Sequence, residues 1–134
     1  MFRSRKSSGK SRNRIDSLIA VGTRIEGNVI FSGGLRVDGE IVGNVGVEKD
    51  GVGVLVVSEK ARIEGEVAVS HLVVNGAIVG PVRVSETLEL QANARVTGDV
   101  QYVGLEMQQG AVVQGRLIHE ADPKPVELKL ANGT

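Results

Sequence analysis

Cysteine is absent from the 134 residues, which excludes a disulfide scaffold, thiolate metal ligation and a cysteine nucleophile. Tryptophan is absent as well, and aromatic residues make up only 2% of the chain. A core usually takes much of its buried area from a few rings, so here it must be assembled from something smaller. No apolar run approaches the roughly 18–20 residues of a membrane span. Net charge is missing too: 16 basic residues balance 16 acidic ones, which argues against a nucleic-acid binder. What the chain does have is 23 valines and 18 glycines. Branching at Cβ favours strands over helices, and the length suits one domain.

The balanced charge conceals two unlike parts. Residues 1–14 carry Arg3, Arg5, Lys6, Lys10, Arg12 and Arg14 and no acid, so the rest of the chain is net negative by the same six charges. Between Phe2 and Ile15 there is no apolar residue. Such a segment buries too little surface to offset its ordering entropy, and residues 1–16 are expected to be a disordered basic tail. It lacks the apolar stretch of a secretory signal, so the body is expected to be cytosolic. Residues 121–134 contain Pro123 and Pro125 and read as a second, mostly disordered tail. Within it, Val126 to Leu130 alternates like one more strand.

Between the tails, from 17 to 120, the unit apolar-x-Gly-x-apolar recurs six times. It runs Ile25-Glu-Gly-Asn-Val29, Ile41-Val-Gly-Asn-Val45, Ile63-Glu-Gly-Glu-Val67, Ile78-Val-Gly-Pro-Val82, Val96-Thr-Gly-Asp-Val100 and Val113-Gln-Gly-Arg-Leu117. The second and fourth read as shortened forms, with Val42 and Val79 in the first apolar slot. The glycines are 16, 22, 15, 18 and 17 residues apart, the longest gap holding an insertion at 48–53 that reads as a surface loop. An alternating pair and a turn precede each unit, as in Leu35-Arg-Val37 before Asp38-Gly39. Ile19 stands before Ile25 as Leu35 stands before Ile41, which places the start of the first repeat at Ile19. A third pair follows the glycine, as in Val29/Phe31 and Val100/Tyr102.

Three short strands per repeat, with glycine or asparagine at corners, predict an all-β chain: a right-handed parallel β-helix (solenoid) of about six coils. Alternate apolar residues point inward and stack coil on coil, while charged residues point out. A narrow coil admits Val, Ile and Leu but few rings, which accounts for the missing aromatics. An antiparallel sandwich would not repeat one pentapeptide in phase six times. A left-handed hexapeptide helix needs a strict six-residue period that these spacings do not keep.

The stretch from Ser17 to Val45 resembles the opening of the bactofilins, a family of bacterial cytoskeletal proteins. Its specific parts are Gly22-Thr-Arg-Ile25-Glu-Gly27 and Leu35-Arg-Val-Asp-Gly39-Glu-Ile41, and the likeness extends to about His119. The resemblance implies a right-handed β-helical core with disordered ends that assembles into filaments without nucleotide. It also implies attachment to the inner face of the cytoplasmic membrane and a role in cell shape. Partners would be other copies of the chain and peptidoglycan-synthesis or hydrolysis proteins, with no specific nucleic acid.

The residues themselves give little support to catalysis, and no cofactor or metal is expected. His71 and His119 read as isolated surface residues without clustered ligands. Glu64 and Glu66, with Glu26 taken to lie one coil away, read as a solvated face, since no aromatics or long loops build a sugar cleft around them. No phosphate-binding loop occurs among the glycines. Assembly has a direct physical reason, because a β-helix ends in unpaired backbone above an apolar core. The expected N-terminal face comprises Ile25, Val29, Phe31, Leu35 and Val37, with Ile19 and Val21 beside them. The expected C-terminal face comprises Leu105, Met107, Val113, Leu117 and Ile118, with Val112. Met1, Phe2, Arg3, Arg5 and Lys6 form an apolar tip with cations suited to an anionic membrane surface. The alternative is a monomeric β-helix that binds a partner or ligand on a lateral face.

Overall fold

The computed structural model describes residues 15–48 and 51–120. The two tails, including the Met1–Lys6 tip and the Val126–Leu130 alternation, lie outside the described residues. Among the described residues there are strands and turns but no helix.

Coil 1 holds β1 (Ser17–Ile19), β2 (Arg24–Glu26) and β3 (Val29–Phe31). Coil 2 holds β4 (Gly33–Val37), β5 (Glu40–Val42) and β6 (Val45–Val47). Coil 3 holds β7 (Gly53–Val57), β8 (Arg62–Glu64) and the start of β9 (Val67–Val74). Coil 4 takes the rest of β9, then β10 (Ala77–Val79) and the start of β11 (Val82–Leu90). Coil 5 takes the rest of β11, then β12 (Arg95–Thr97) and β13 (Val100–Tyr102). Coil 6 holds β14 (Gly104–Met107), β15 (Val112–Gln114) and β16 (Leu117–His119).

Every ladder is parallel, and the strands stack into three faces. The first face runs β1-β4-β7-β9-β11-β14, the second β2-β5-β8-β10-β12-β15, the third β3-β6-β9-β11-β13-β16. The molecule is a parallel β-solenoid of six turns. β9 and β11 are longer than the short strands expected, because each runs round the corner from the third face to the first. In β11 a register shift between Val84 and Thr87 makes the bend.

The core is a set of columns, one residue per coil. Ile25, Ile41, Ile63, Ile78, Val96 and Val113 form one; Val29, Val45, Val67, Val82, Val100 and Leu117 form another. Every buried apolar residue is Val, Ile, Leu or Ala, whereas Phe31 and Tyr102 pack only against the margin. These registers also correct the shortened units. Ile41 and Ile78 occupy the same inward position as Ile63, so both units are full length and Val42 and Val79 face outward.

The first repeat is corrected by two residues. Ile19 pairs with Val37, not Leu35, and Ser17 takes the position opposite Leu35. The reason lies in two kinds of corner between the first and second faces. Wide corners hold four residues closed by a backbone hydrogen bond, as from the Thr23 N–H to the Ala20 carbonyl (3.0 Å) and from Ala61 to Ser58 (3.0 Å). Tight corners hold two, Asp38-Gly39 and Asn75-Gly76, each lying against a wide one. A Cβ on Gly39 would run into the Ala20 and Thr23 carbonyls, and one on Gly76 into those of Ser58 and Ala61.

The corner between the second and third faces is a glycine ladder. Gly27, Gly43, Gly65, Gly80, Gly98 and Gly115 all have φ between 137° and 155°, a region costly for residues with a Cβ. From Gly43 onward, an added Cβ would also collide with the carbonyl of the glycine one coil back. Of the insertion at 48–53, Gly51 donates to the Glu48 carbonyl at 2.8 Å, Val52 is exposed and Gly53 starts β7.

Candidate assembly surfaces

Among the described residues, each strand of coil 1 and each strand of coil 6 pairs on one side only. The solenoid therefore ends in six strand edges that are ready to pair with another chain. The side chains behind those edges continue the core columns. In the column that ends at Leu117, Val100 is fully buried and Leu117 is 43% exposed. In the neighbouring column on the first face, Leu90 is fully buried and Met107 is 44% exposed. Leu105 and Val113 are half-buried and complete the inward set at the C-terminal end. At the other end Ile25, Val29 and Phe31 are half-buried in coil 1, although Ile41 and Val45 beneath them are buried.

Two residues expected at the N-terminal end are elsewhere. Leu35 and Val37 belong to coil 2 and are 3% and 0% exposed, because β1 covers them. Ile19 takes the place assigned to Val37, at the end of the same column, and Val21 stands exposed on a wide corner. Phe31 leans toward the interior: its ring lies 2.9 Å from where a Cβ on Gly53 would be. At the C-terminal end, alternation turns Val112 and Ile118 outward, opposite Arg95 and Gln101, so both belong to lateral faces. Leu18 and Ile30, exposed apolar residues of coil 1, were missed because no repeat contact singles them out in the sequence.

Corner side chains bind one coil to the next. Asn28 Oδ1 accepts from the Asn44 N–H at 3.0 Å, and Asn44 Oδ1 from the Glu66 N–H at 3.0 Å. Nearer the C-terminal end, Asp99 accepts from the Arg116 N–H at 3.0 Å and from its guanidinium at 2.9 Å. The guanidinium and the backbone N–H together hold the Asp99 carboxyl below the usual carboxylate range. The Ser58 hydroxyl, aided by Arg36, does the same for Asp38.

The lateral faces are ion-paired. Glu26 and Glu64 lie two coils apart, with Val42 between them, and not in adjacent coils. Each is paired on its own strand, to Arg24 at 2.9 Å and Arg62 at 2.8 Å. A groove of about 390 Å³ opens where the tight corner Asp38-Gly39 lies between two wide ones. Its Arg24 and Glu40 are bonded to each other at 3.1 Å. His71 is half-buried, not solvated, with Nε2 3.4 Å from a Glu86 carboxylate oxygen. His119 packs beside Tyr102 with ring centroids 5.4 Å apart. Among the described residues no helix is long and apolar enough to cross a membrane, and no three acidic or histidine side chains are grouped to hold a metal.

Comparison with known proteins places this geometry. Residues 17–118 match the family model described as Bactofilin, polymer-forming cytoskeletal. The chain is 30% identical over 63 residues to Bactofilin BacP of Myxococcus xanthus (strain DK1622). That match covers 47% of this chain and 26% of BacP, so the chain spans well under two thirds of that relative. The solid-state NMR structure of the cytoskeletal bactofilin BacA superposes with a TM-score of 0.69 at 33% identity. The superposition covers 80% of this chain and 98% of that one. With the family model spanning all six coils and a solved bactofilin sharing the solenoid, this chain belongs to the bactofilin family.

Proposed function

We propose that this chain is a structural, non-enzymatic subunit that polymerises by stacking solenoid ends, without nucleotide, into filaments at the inner face of the cytoplasmic membrane. The observation that carries the reading is the rise in exposure from Val100 to Leu117 and from Leu90 to Met107. Apolar columns reach both ends of the rod, where a further apolar coil would bury the residues still exposed there. The N-terminal surface is Ile19, Ile25, Val29 and Phe31; the C-terminal surface is Leu105, Met107, Val113 and Leu117. Stacking two ends extends all three sheets at once, so backbone pairing and apolar burial act together. The family's description as polymer-forming supports the same reading.

Membrane attachment would come from Met1 and Phe2 with Arg3, Arg5 and Lys6. One such tip binds weakly, and a filament that displays one per subunit binds by avidity. In this role the polymer scaffolds envelope-synthesis or hydrolysis proteins and contributes to cell shape. The Arg24–Glu40 pair in the lateral groove disfavours the alternative of a monomer that takes a charged ligand there. Electron microscopy of the purified, nucleotide-free protein tests the reading: filaments are expected, and monomers at all concentrations would reject it.

A further inference from the structure

The first face carries two outward rows, a shorter one of Gly34, Val54, His71, Thr87 and Gly104 and, two residues on, a longer one. From coil 1 to coil 6 it reads Leu18, Arg36, Val56, Val73, Glu89 and Glu106, in continuous register. Their strand neighbours Leu35, Val37, Leu55, Val57, Leu72, Val74, Leu88 and Leu90 point into the core and are buried. The column is thus segregated: a cation on coil 2, half-exposed valines on coils 3 and 4, and acids on coils 5 and 6.

That order is complementary to its own reverse. A two-fold axis lying along the strands between coils 3 and 4 brings Val56 of one copy onto Val73 of the other. The same operation sets Arg36 opposite Glu89, twice, and at the two ends Leu18 opposite Glu106, the one mismatched pair of the column. On the flank it sets Asp38 opposite Gln91 and Ser58 opposite Asn75, with no like charges facing. A parallel pairing of the same faces would oppose Arg36 to Arg36 and Glu89 to Glu89, which is unfavourable. The other faces lack this symmetry. Reversed onto itself, the second face would set the Arg62–Glu64 pair against Ala77 and Val79, and the third would press Arg83 on Ala68, so neither brings apolar onto apolar at its centre.

We propose that the first face is a lateral self-association surface on which a second copy of this chain docks with its axis reversed. The face measures about 29 Å by 16 Å from coil and residue spacings, or about 450 Å² per subunit. Two subunits alone fall short of the roughly 1,200 Å² total typical of stable complexes. Many subunits in line exceed it, so strong pairing rests on the end-to-end assembly proposed above. The result is filaments associated in antiparallel pairs.

The absence of native cysteine permits a direct test. Arg36→Cys and Glu89→Cys proteins, each alone and mixed in equal amounts at high concentration, are oxidised and run on non-reducing gels. A covalent dimer is expected in the mixture and in neither protein alone, because the two sites meet only across the reversed pair. Self-linkage of Arg36→Cys, or no linkage in the mixture, overturns the proposal. Electron micrographs of the same samples read the polymer separately. Filaments without the mixed disulfide sink the lateral pairing alone, and the disulfide without filaments sinks end-to-end assembly alone. As a second check, Arg36→Glu should yield single filaments and Arg36→Glu/Glu89→Arg should restore pairs. Paired filaments from Arg36→Glu would contradict the charge match.

Discussion

Val100 and Leu117 occupy the same inward position in successive coils, yet Val100 is fully buried and Leu117 is 43% exposed. Among the described residues a further coil covers Val100 and none covers Leu117. Leu117→Glu is therefore expected to cost the isolated subunit less than about 1 kcal/mol, since the site is already half in water. It should nevertheless abolish long filaments, because a charge would be buried at the junction. Thermal melting together with sedimentation checks both halves. Phe31→Glu is a poorer probe, since its ring packs near Gly53 and the substitution would also disturb the fold.

Gly65 and Gly27 stand on the same ladder but differ in what lies behind them. A Cβ at Gly65 meets the Gly43 carbonyl, whereas one at Gly27 meets nothing within 4 Å. Gly65→Ala should lower stability by more than the 1–3 kcal/mol typical of backbone strain alone. Gly27→Ala should cost only that strain, and should impair assembly by placing a methyl on the N-terminal end. Denaturant melts and sedimentation of the two variants separate the effects.

Asp99 ties coil 6 to coil 5 through Arg116 and has its carboxyl held below the ordinary range by that partner. The stabilisation is complete above the unfolded value near pH 3.9 and fades as pH falls through the lower folded value. Wild type should thus melt above Asp99→Asn near pH 7, and the gap should shrink progressively as the pH is lowered below the unfolded value. Because both side chains are exposed, high salt should narrow it as well. A gap independent of pH would exclude the ion pair as its source.

Flotation with anionic liposomes should recover polymerised protein that retains residues 2–6, and much less of a form lacking them. Recovery of the full chain should also fall when Leu117→Glu prevents assembly, because single tips bind weakly. Equal recovery with and without residues 2–6 would reject the tip as the anchor.

The columns were legible in the sequence because each places the same kind of residue at one position in every coil. Ile25, Ile63, Val96 and Val113 align on their glycines, whereas Ile41 and Ile78 read one place out because Val42 and Val79 beside them are apolar too; the missing rings follow from the narrow coil that these side chains fill. The register of coil 1 was not legible, since Ile19 precedes a four-residue corner and Val37 a two-residue one. In coils 3 and 5 a small buried residue, Ala61 or Ala94, closes the wide corner, but in coil 1 that place is taken by the exposed Thr23, so the signal is missing where it was needed. Leu35 and Val37 are expected at the end from their place early in the chain, yet they belong to coil 2 and β1 covers them. The half-burial of His71 was hidden because it depends on the bend in β11, which no local pattern announces.

Mass per length, measured on unstained filaments grown without nucleotide, tests end-to-end stacking most directly. Six coils at about 4.8 Å each give one subunit of 14.1 kDa for every 29 Å or so of single filament, whatever the orientation of successive subunits. Twice that value is expected for a lateral pair. A mass per length that is not a whole multiple of one chain per six coils would contradict filaments built by stacking solenoid ends.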